Sequence, residues 1–298
     1  MVAAMGTLAG QGVVVTGGGR GIGRALALRA AREGARVVVN DLDADNARSV
    51  AAEVGGTAVP GDAASAAGVR ALVAEATEAL GRIDAFLANA GIDGAHGPDS
   101  LQTPDEAWAR VVDVNVMAHV RAARELVPRW LADGQGGRFV VTASAAGLLT
   151  MIGSAPYSVT KHAAVGFAEW LSVTYGARGV RVHAICPQGV RTQMLEDAGP
   201  LQQLLSRDRA LEPDEVADAL VAAIEEDRFL VLPHPEVAGY YAARAADPDR
   251  WLAGMRRLQQ KVDTALGAGD PTADPTDDPT DDPTDDPTDD PTDGGGAS

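Results

Sequence analysis

The chain has 298 residues, 46% of them hydrophobic, which is enough to bury a full core as one large α/β domain or two small ones without disulfides or metals. Its single cysteine, Cys186, excludes an intramolecular disulfide and any paired-cysteine zinc site, and suits a reducing, cytoplasmic setting. Of the net charge of −17, the 11 aspartates between Asp270 and Asp293 account for all but −6, and that mildly acidic balance of the rest argues against a nucleic-acid partner.

The first ten residues lack a basic stretch followed by an apolar one, and no run approaches ~18 apolar residues, so neither a secretion signal nor a membrane span is expected. From residue 10 to about 235, short β-branched runs alternate with alanine-rich amphipathic stretches. Strands are predicted at 12–16, 36–40, 58–59, 85–88, 138–142, 181–185 and 229–232. Helices are predicted at 22–33, 44–54, 68–80, 104–131, 157–175 and 213–226. The strands are continuous apolar runs rather than alternating ones, which requires cover on both faces of a sheet. Strand followed by helix, repeated, gives a doubly wound parallel α/β sheet of Rossmann type. Three segments follow: a main domain over 1–235, a helical extension over 236–266, and a tail over 267–298. The tail repeats DPTA once and DPTD five times from Asp270, so prolines and mutually repelling aspartates predict a disordered, solubilising strip, with a weak divalent-cation or partner-binding strip as the alternative.

The first strand runs into Gly17-Gly18-Gly19-Arg20-Gly21-Ile22-Gly23 and then directly into a helix. Glycines there permit a tight turn and close backbone approach, so a pyrophosphate can sit over the helix N-terminus. Asp41 ends the second strand, 18 residues beyond Gly23, where a carboxylate accepts hydrogen bonds from ribose hydroxyls and repels a 2′-phosphate. That favours NAD over NADP. Arg20 and Arg24 argue the other way, since a guanidinium near the loop can pair with the extra phosphate.

Tyr157 and Lys161 stand four residues apart near the start of a helix, so both heads share one face. A free phenol has a pKa of ~10, and bringing it near neutrality takes ~4 kcal/mol of preference for the phenolate. A neighbouring ammonium supplies part of that preference, and the positive ring of an oxidised nicotinamide supplies more. Tyr157 is then a general base toward an alcohol or a general acid toward a ketone. Ser144, 13 residues earlier at the end of a strand, opens toward the same cleft.

With Thr16 in front, TGGGRGIG resembles the cofactor loop of the short-chain dehydrogenase/reductase family, and the spacing of Ser144, Tyr157 and Lys161 resembles that family's catalytic set. The resemblance covers roughly residues 8–235. It implies that Ser144 polarises the substrate oxygen, that Tyr157 moves the proton, and that Lys161 binds the nicotinamide ribose. It also implies that Asn115 completes a relay to solvent. Asn89-Ala90-Gly91 resembles the element that borders the adenine, Asp62 the acid that contacts the adenine amine, and the segment from Pro187 through Val190 to Thr192 the one that holds the carboxamide. Thr192 equally suits a helix N-cap. A homo-oligomer is implied as well.

Two departures from the family pattern stand out. Gln188 follows Pro187 where the family usually has glycine, and its amide is a candidate substrate contact. Beyond Leu232 the chain lacks the glycine-rich ending of shorter members. Residues 193–212, with Met194, Leu195, Leu201, Leu204 and Leu205, read either as an apolar flap over the cleft, suiting a hydrophobic alcohol or ketone, or as a surface helix packed on its leucines. His96, His119, His162, His183 and His234 show no ligand-like spacing, so no metal is expected. The alternatives to an NAD-dependent alcohol dehydrogenase are an NADPH-dependent carbonyl reductase and a non-catalytic dinucleotide-binding module.

Overall fold

The computed structural model describes residues 6–94, 100–197 and 209–265. The strands are β1 (Gly12–Val15), β2 (Arg36–Val39), β3 (Thr57–Ala58), β4 (Ala85–Ala88), β5 (Gly137–Thr142), β6 (Val180–Ile185) and β7 (Leu230–Val231). They form one sheet in the order β3-β2-β1-β4-β5-β6-β7, with every pair parallel. The sheet is therefore doubly wound, and its strand order reverses between β1 and β4, where a crevice opens at the carboxyl ends.

The helices are α1 (Gly21–Arg32), α2 (Ala44–Glu53), α3 (Ala66–Leu80), α4 (Asp105–Val112), α5 (Ala118–Ala132) and α6 (Ala155–Tyr175), then α7 (Gln193–Glu196), α8 (Pro213–Glu225), α9 (Glu236–Ala246) and α10 (Pro248–Ala265). Alternate strand residues feed two cores. Val14, Val38, Phe86, Phe139 and Val141 pack with α3, α5 and α6 on one face. Val13, Val15, Val37, Leu87 and Val140 pack with α1 and α8 on the other. Burial on both faces is why the strands read as unbroken apolar runs.

The predicted strands all appear, with ends moved by a residue or two. The helix predicted at 104–131 is instead α4, a π-helical turn (Asp113–Met117) and α5. The cause lies at Asn115, which is fully buried with its side chain bonded across to the backbone of Ile92. One extra residue in that turn lets the side chain reach inward, as π-bulges at functional sites often do. α6 begins two residues ahead of Tyr157, with Pro156 in its first turn, where a missing amide donor costs nothing. Cys186 is fully buried. The extension over 236–266 forms α9, rooted by fully buried Val237, and α10. Among the described residues no helix is long and apolar enough to cross a membrane. The repeat tail, His96, and Leu201, Leu204 and Leu205 of the expected flap lie outside the described residues.

Candidate active site

A cleft of about 1730 Å³ runs along the carboxyl ends of the strands. At one end lies the glycine loop, where Gly17 and Gly21 adopt left-handed backbone (φ 59° and 52°). A Cβ on Gly23 would stand 2.0 Å from the Gly17 carbonyl oxygen, so only glycine lets α1 start directly beneath the loop. The N-cap of α1 is Arg20, with no side-chain cap bond and no acid in the first turn. Its leading amides therefore face the cleft as an anion site. Gly17, Arg20, Gly21, Ile22 and Gly23 line this end. Gly19 works differently: its amide donates to Asp41 Oδ2 at 2.9 Å, and a Cβ there would collide with that carboxylate. Gly19 thus sits directly against the Asp41 carboxylate.

Asp41 also accepts from the Asp43 amide at 3.0 Å and lines the cleft. Arg24 also lines the cleft, with one guanidinium nitrogen bonded to both oxygens of Glu53 at 2.7 and 2.8 Å. Arg20 is exposed at the cleft edge. Asp62, also in the lining, accepts from the amides of Ala64 (2.8 Å) and Ser65 (3.2 Å). The Ala64 bond above all holds its carboxyl below the usual range, so it stays charged. Asn89 stitches β1 to β4: its Nδ2 donates to the Thr16 and Gly17 carbonyls at 3.0 and 3.2 Å. The amides of Asn89 and Ala90 in turn donate to Thr16 Oγ1. A Cβ on Gly91 would lie 3.4 Å from both Lys161 Nζ and Asn115 Oδ1, so both groups sit against the open side of this one small residue.

At the other end stand Ser144, Tyr157 and Lys161. Lys161 Nζ lies 5.4 Å from the centroid of the Tyr157 ring and donates to the Thr142 carbonyl at 3.0 Å. Ser144, 8% exposed, accepts from the Ala146 amide and donates to the Pro187 carbonyl at 3.4 Å. Burial pushes the Tyr157 phenol up to about 12, opposed by a hydrogen bond with Ser144. The same burial pulls the Lys161 ammonium down to about 8. Within the chain alone, desolvation of the phenolate is what raises the phenol.

Asn115 does not touch Lys161 through a hydrogen bond of its side chain. Its Nδ2 donates to the Ile92 carbonyl (2.8 Å) and Thr160 Oγ1 (3.1 Å), and its Oδ1 accepts from the Ile92 amide (2.9 Å). Pro187, Val190 and Thr192 line the cleft. Thr192 occupies the N-cap position of α7 without a side-chain cap bond; its hydroxyl donates to the Val190 carbonyl at 3.1 Å. Its methyl group lies 3.1 Å from where a Gly21 Cβ would be, so this segment closes onto the glycine loop.

Sequence reasoning missed His234. Buried just beyond β7, its Nδ1 accepts from the Gln188 amide and its Nε2 contacts the Arg209 carbonyl, both at 3.1 Å. The imidazole is thus a neutral Nε2–H tautomer that fixes the turn at Gln188. No spacing rule reveals such a link, because its partners lie 25 and 46 residues away.

A glycine cradle at an uncapped helix start and a cleft of this size fit a dinucleotide with room beside it. The short chain dehydrogenase family model matches residues 11–202. The 1-deoxy-11-beta-hydroxypentalenate dehydrogenase of Streptomyces avermitilis is 35% identical over 263 residues, 87% of this chain and 97% of the relative. The 2,5-dichloro-2,5-cyclohexadiene-1,4-diol dehydrogenase of Sphingobium indicum is 35% identical over 70% of this chain and 82% of its own. A short chain dehydrogenase/reductase from Burkholderia phymatum, solved in complex with NAD, superposes with a TM-score of 0.75 at 28% identity, covering 82% of this chain and 96% of that one. Fold, cleft and relatives define an NAD(P)-dependent oxidoreductase. The chain belongs to the short-chain dehydrogenase/reductase family.

Proposed function

We propose that the chain interconverts a hydrophobic secondary alcohol and its ketone, using NAD in preference to NADP, with Tyr157 as the general acid/base. The observation that carries this reading is the Lys161 ammonium 5.4 Å from the centroid of the Tyr157 ring, with Ser144 lining the same cleft that the glycine loop opens. When bound, the oxidised cofactor supplies a hydride acceptor and a positive charge near the phenol. Ser144 orients and polarises the substrate oxygen, and Tyr157 takes or returns the proton at that oxygen. Lys161 binds the nicotinamide ribose and favours the phenolate, while buried Asn115 holds the Ile92 backbone beside Lys161. Gly17, Gly21, Ile22 and Gly23 cradle the pyrophosphate. Asp62, Asn89, Ala90 and Gly91 border the adenine side, and Pro187, Val190 and Thr192 the nicotinamide side.

Two observations support NAD. Asp41 presents a carboxylate just beyond β2, and Arg24, though it lines the cleft, is paired with Glu53. Exposed Arg20 favours the second reading, an NADPH-dependent carbonyl reductase. Both relatives above are named as dehydrogenases of hydroxyl-bearing compounds, which supports the alcohol assignment. Fluorescence titration with both cofactors, followed by a screen of secondary alcohols and ketones at the reduced-nicotinamide band, tests the reading. Tighter NAD binding with turnover is expected. Tighter NADP binding selects the second reading, and cofactor binding without turnover makes the chain a non-catalytic module.

A further inference from the structure

The α10 helix carries Trp251, Met255 and Leu258 at a spacing that places them on one side of the helix. None of its described side chains is buried in the core. The stripe faces instead the cleft that Tyr157 and Ser144 line, and it is joined there by Tyr240 of α9 and by Leu149 and Met151 from the segment between Ser144 and α6. The same cleft of about 1730 Å³ that fits a dinucleotide at the glycine loop leaves room beside it for a further occupant. An apolar stripe on this helix gains nothing by facing water, so an apolar occupant is the partner that rewards it.

One side chain holds this wall in place. Arg244, on α9, donates through Nη1 to the carbonyls of Leu148 and Leu149, the latter at 2.8 Å, and lies 3.0 Å from His162 Nε2. Its guanidinium stands 5.1 Å from the centroid of Trp251. A single planar cation thus joins α9, α10, the segment following Ser144 and the helix bearing Tyr157. His162 is positioned for this by its Nδ1, 2.8 Å from the Ser158 carbonyl.

We infer that α9 and α10 form the substrate-side wall of the active site and that the occupant is the large apolar body of a secondary alcohol or ketone, contacted by Trp251, Met255 and Leu258. Arg244 is a positioning residue for that wall. The inference rests on the alcohol-dehydrogenase reading above and adds the size and polarity of the substrate. A fused ring system and a long or branched hydrocarbon chain share this chemistry.

The test measures kcat/KM for isopropanol, cyclohexanol, a decalin alcohol and a long-chain secondary alcohol with wild type, Trp251→Ala, Met255→Trp and Arg244→Lys, with NADH affinity reporting an intact fold. Wild type is expected to prefer the large alcohols. In Trp251→Ala the ratio of large to small alcohol kcat/KM falls by about tenfold or more, the scale set by losing one buried aromatic contact. Met255→Trp narrows the space and lowers the same ratio, and Arg244→Lys lowers it mainly through KM. Whether the decalin alcohol or the long-chain alcohol is hit harder identifies ring or chain. Ratios unchanged in both Trp251→Ala and Met255→Trp overturn the wall while leaving the dehydrogenase reading standing. Wild type that binds NADH but oxidises none of the four alcohols, and reduces none of their ketones, overturns that reading and the wall with it.

Discussion

On the proposed reading the chemistry turns on Tyr157, and within the chain alone burial favours its protonated form. Burial pushes the phenol up to about 12, far above the range in which it could serve as a base. Each unit of return costs about 1.4 kcal/mol, so the phenolate needs positive charge beyond Lys161, whose own ammonium is weakened to about 8 by the same burial. The sign is consistent with the proposed roles: the chain alone presents an acid suited to ketone reduction, and base character awaits the charge of an oxidised cofactor. Asp41 is proposed to govern a different choice. Its carboxylate is fixed by the amides of Gly19 and Asp43, and on the proposed reading Asp41→Ala removes the charge that repels a 2′-phosphate. The NAD to NADP affinity ratio is expected to shrink by about tenfold or more, read by titrating both cofactors; an unchanged ratio assigns the preference to another group. The residue types at both sites were legible because spacing alone puts Tyr157 near Lys161 and Asp41 at a strand end. The direction of the phenol's shift was not legible, since it depends on how much water the folded cleft admits.

The glycine loop and the first turn of α1 act as one element. A methyl group at Gly23 would meet backbone at 2.0 Å, and backbone cannot swing aside as a side-chain end can. Gly23→Ala is therefore expected to weaken NADH binding by at least about tenfold and to cost about 1–3 kcal/mol of stability, measured by titration and by thermal unfolding. Binding equal to wild type would show that the close approach of α1 is not what shapes the cradle. Local pattern made this element readable, as it did the seven strands, whose burial on both faces is written in unbroken valines. The π-helical turn at Asp113–Met117 left no such mark, because its cause is the Ile92 backbone 23 residues away. The apolar spacing in α10 is visible in the sequence, but nothing local says that it faces the cleft instead of the core.

At the scale of the molecule, the reversal of strand order between β1 and β4 gathers the cofactor loop, Ser144 and the start of α6 at one edge of the sheet. That convergence also buries polar groups close together. His119, at the start of α5, is 2% exposed, and its Nε2 has no hydrogen-bond partner among the described residues. Burial first, and the Lys161 charge second, pull its pKa from 6.5 to about 3. The folded value lies below the unfolded one, so the fold favours the neutral ring. Its contribution to stability is complete above pH 6.5 and is lost as pH falls toward about 3. His119→Phe removes this proton uptake, so the urea midpoint of wild type should drop more steeply between those pH values than that of the variant. Parallel curves would contradict the assignment. Strand order and buried polar neighbours of this kind arise from contacts distant along the chain, which composition and periodicity do not encode.

The central claim is that the Tyr157 hydroxyl moves the substrate proton, and Tyr157→Phe tests it most directly, since the ring and its packing remain while the oxygen is lost. Turnover of a secondary alcohol with NAD should fall by about a hundredfold or more while NADH still binds. Turnover near that of wild type in the variant would contradict the account.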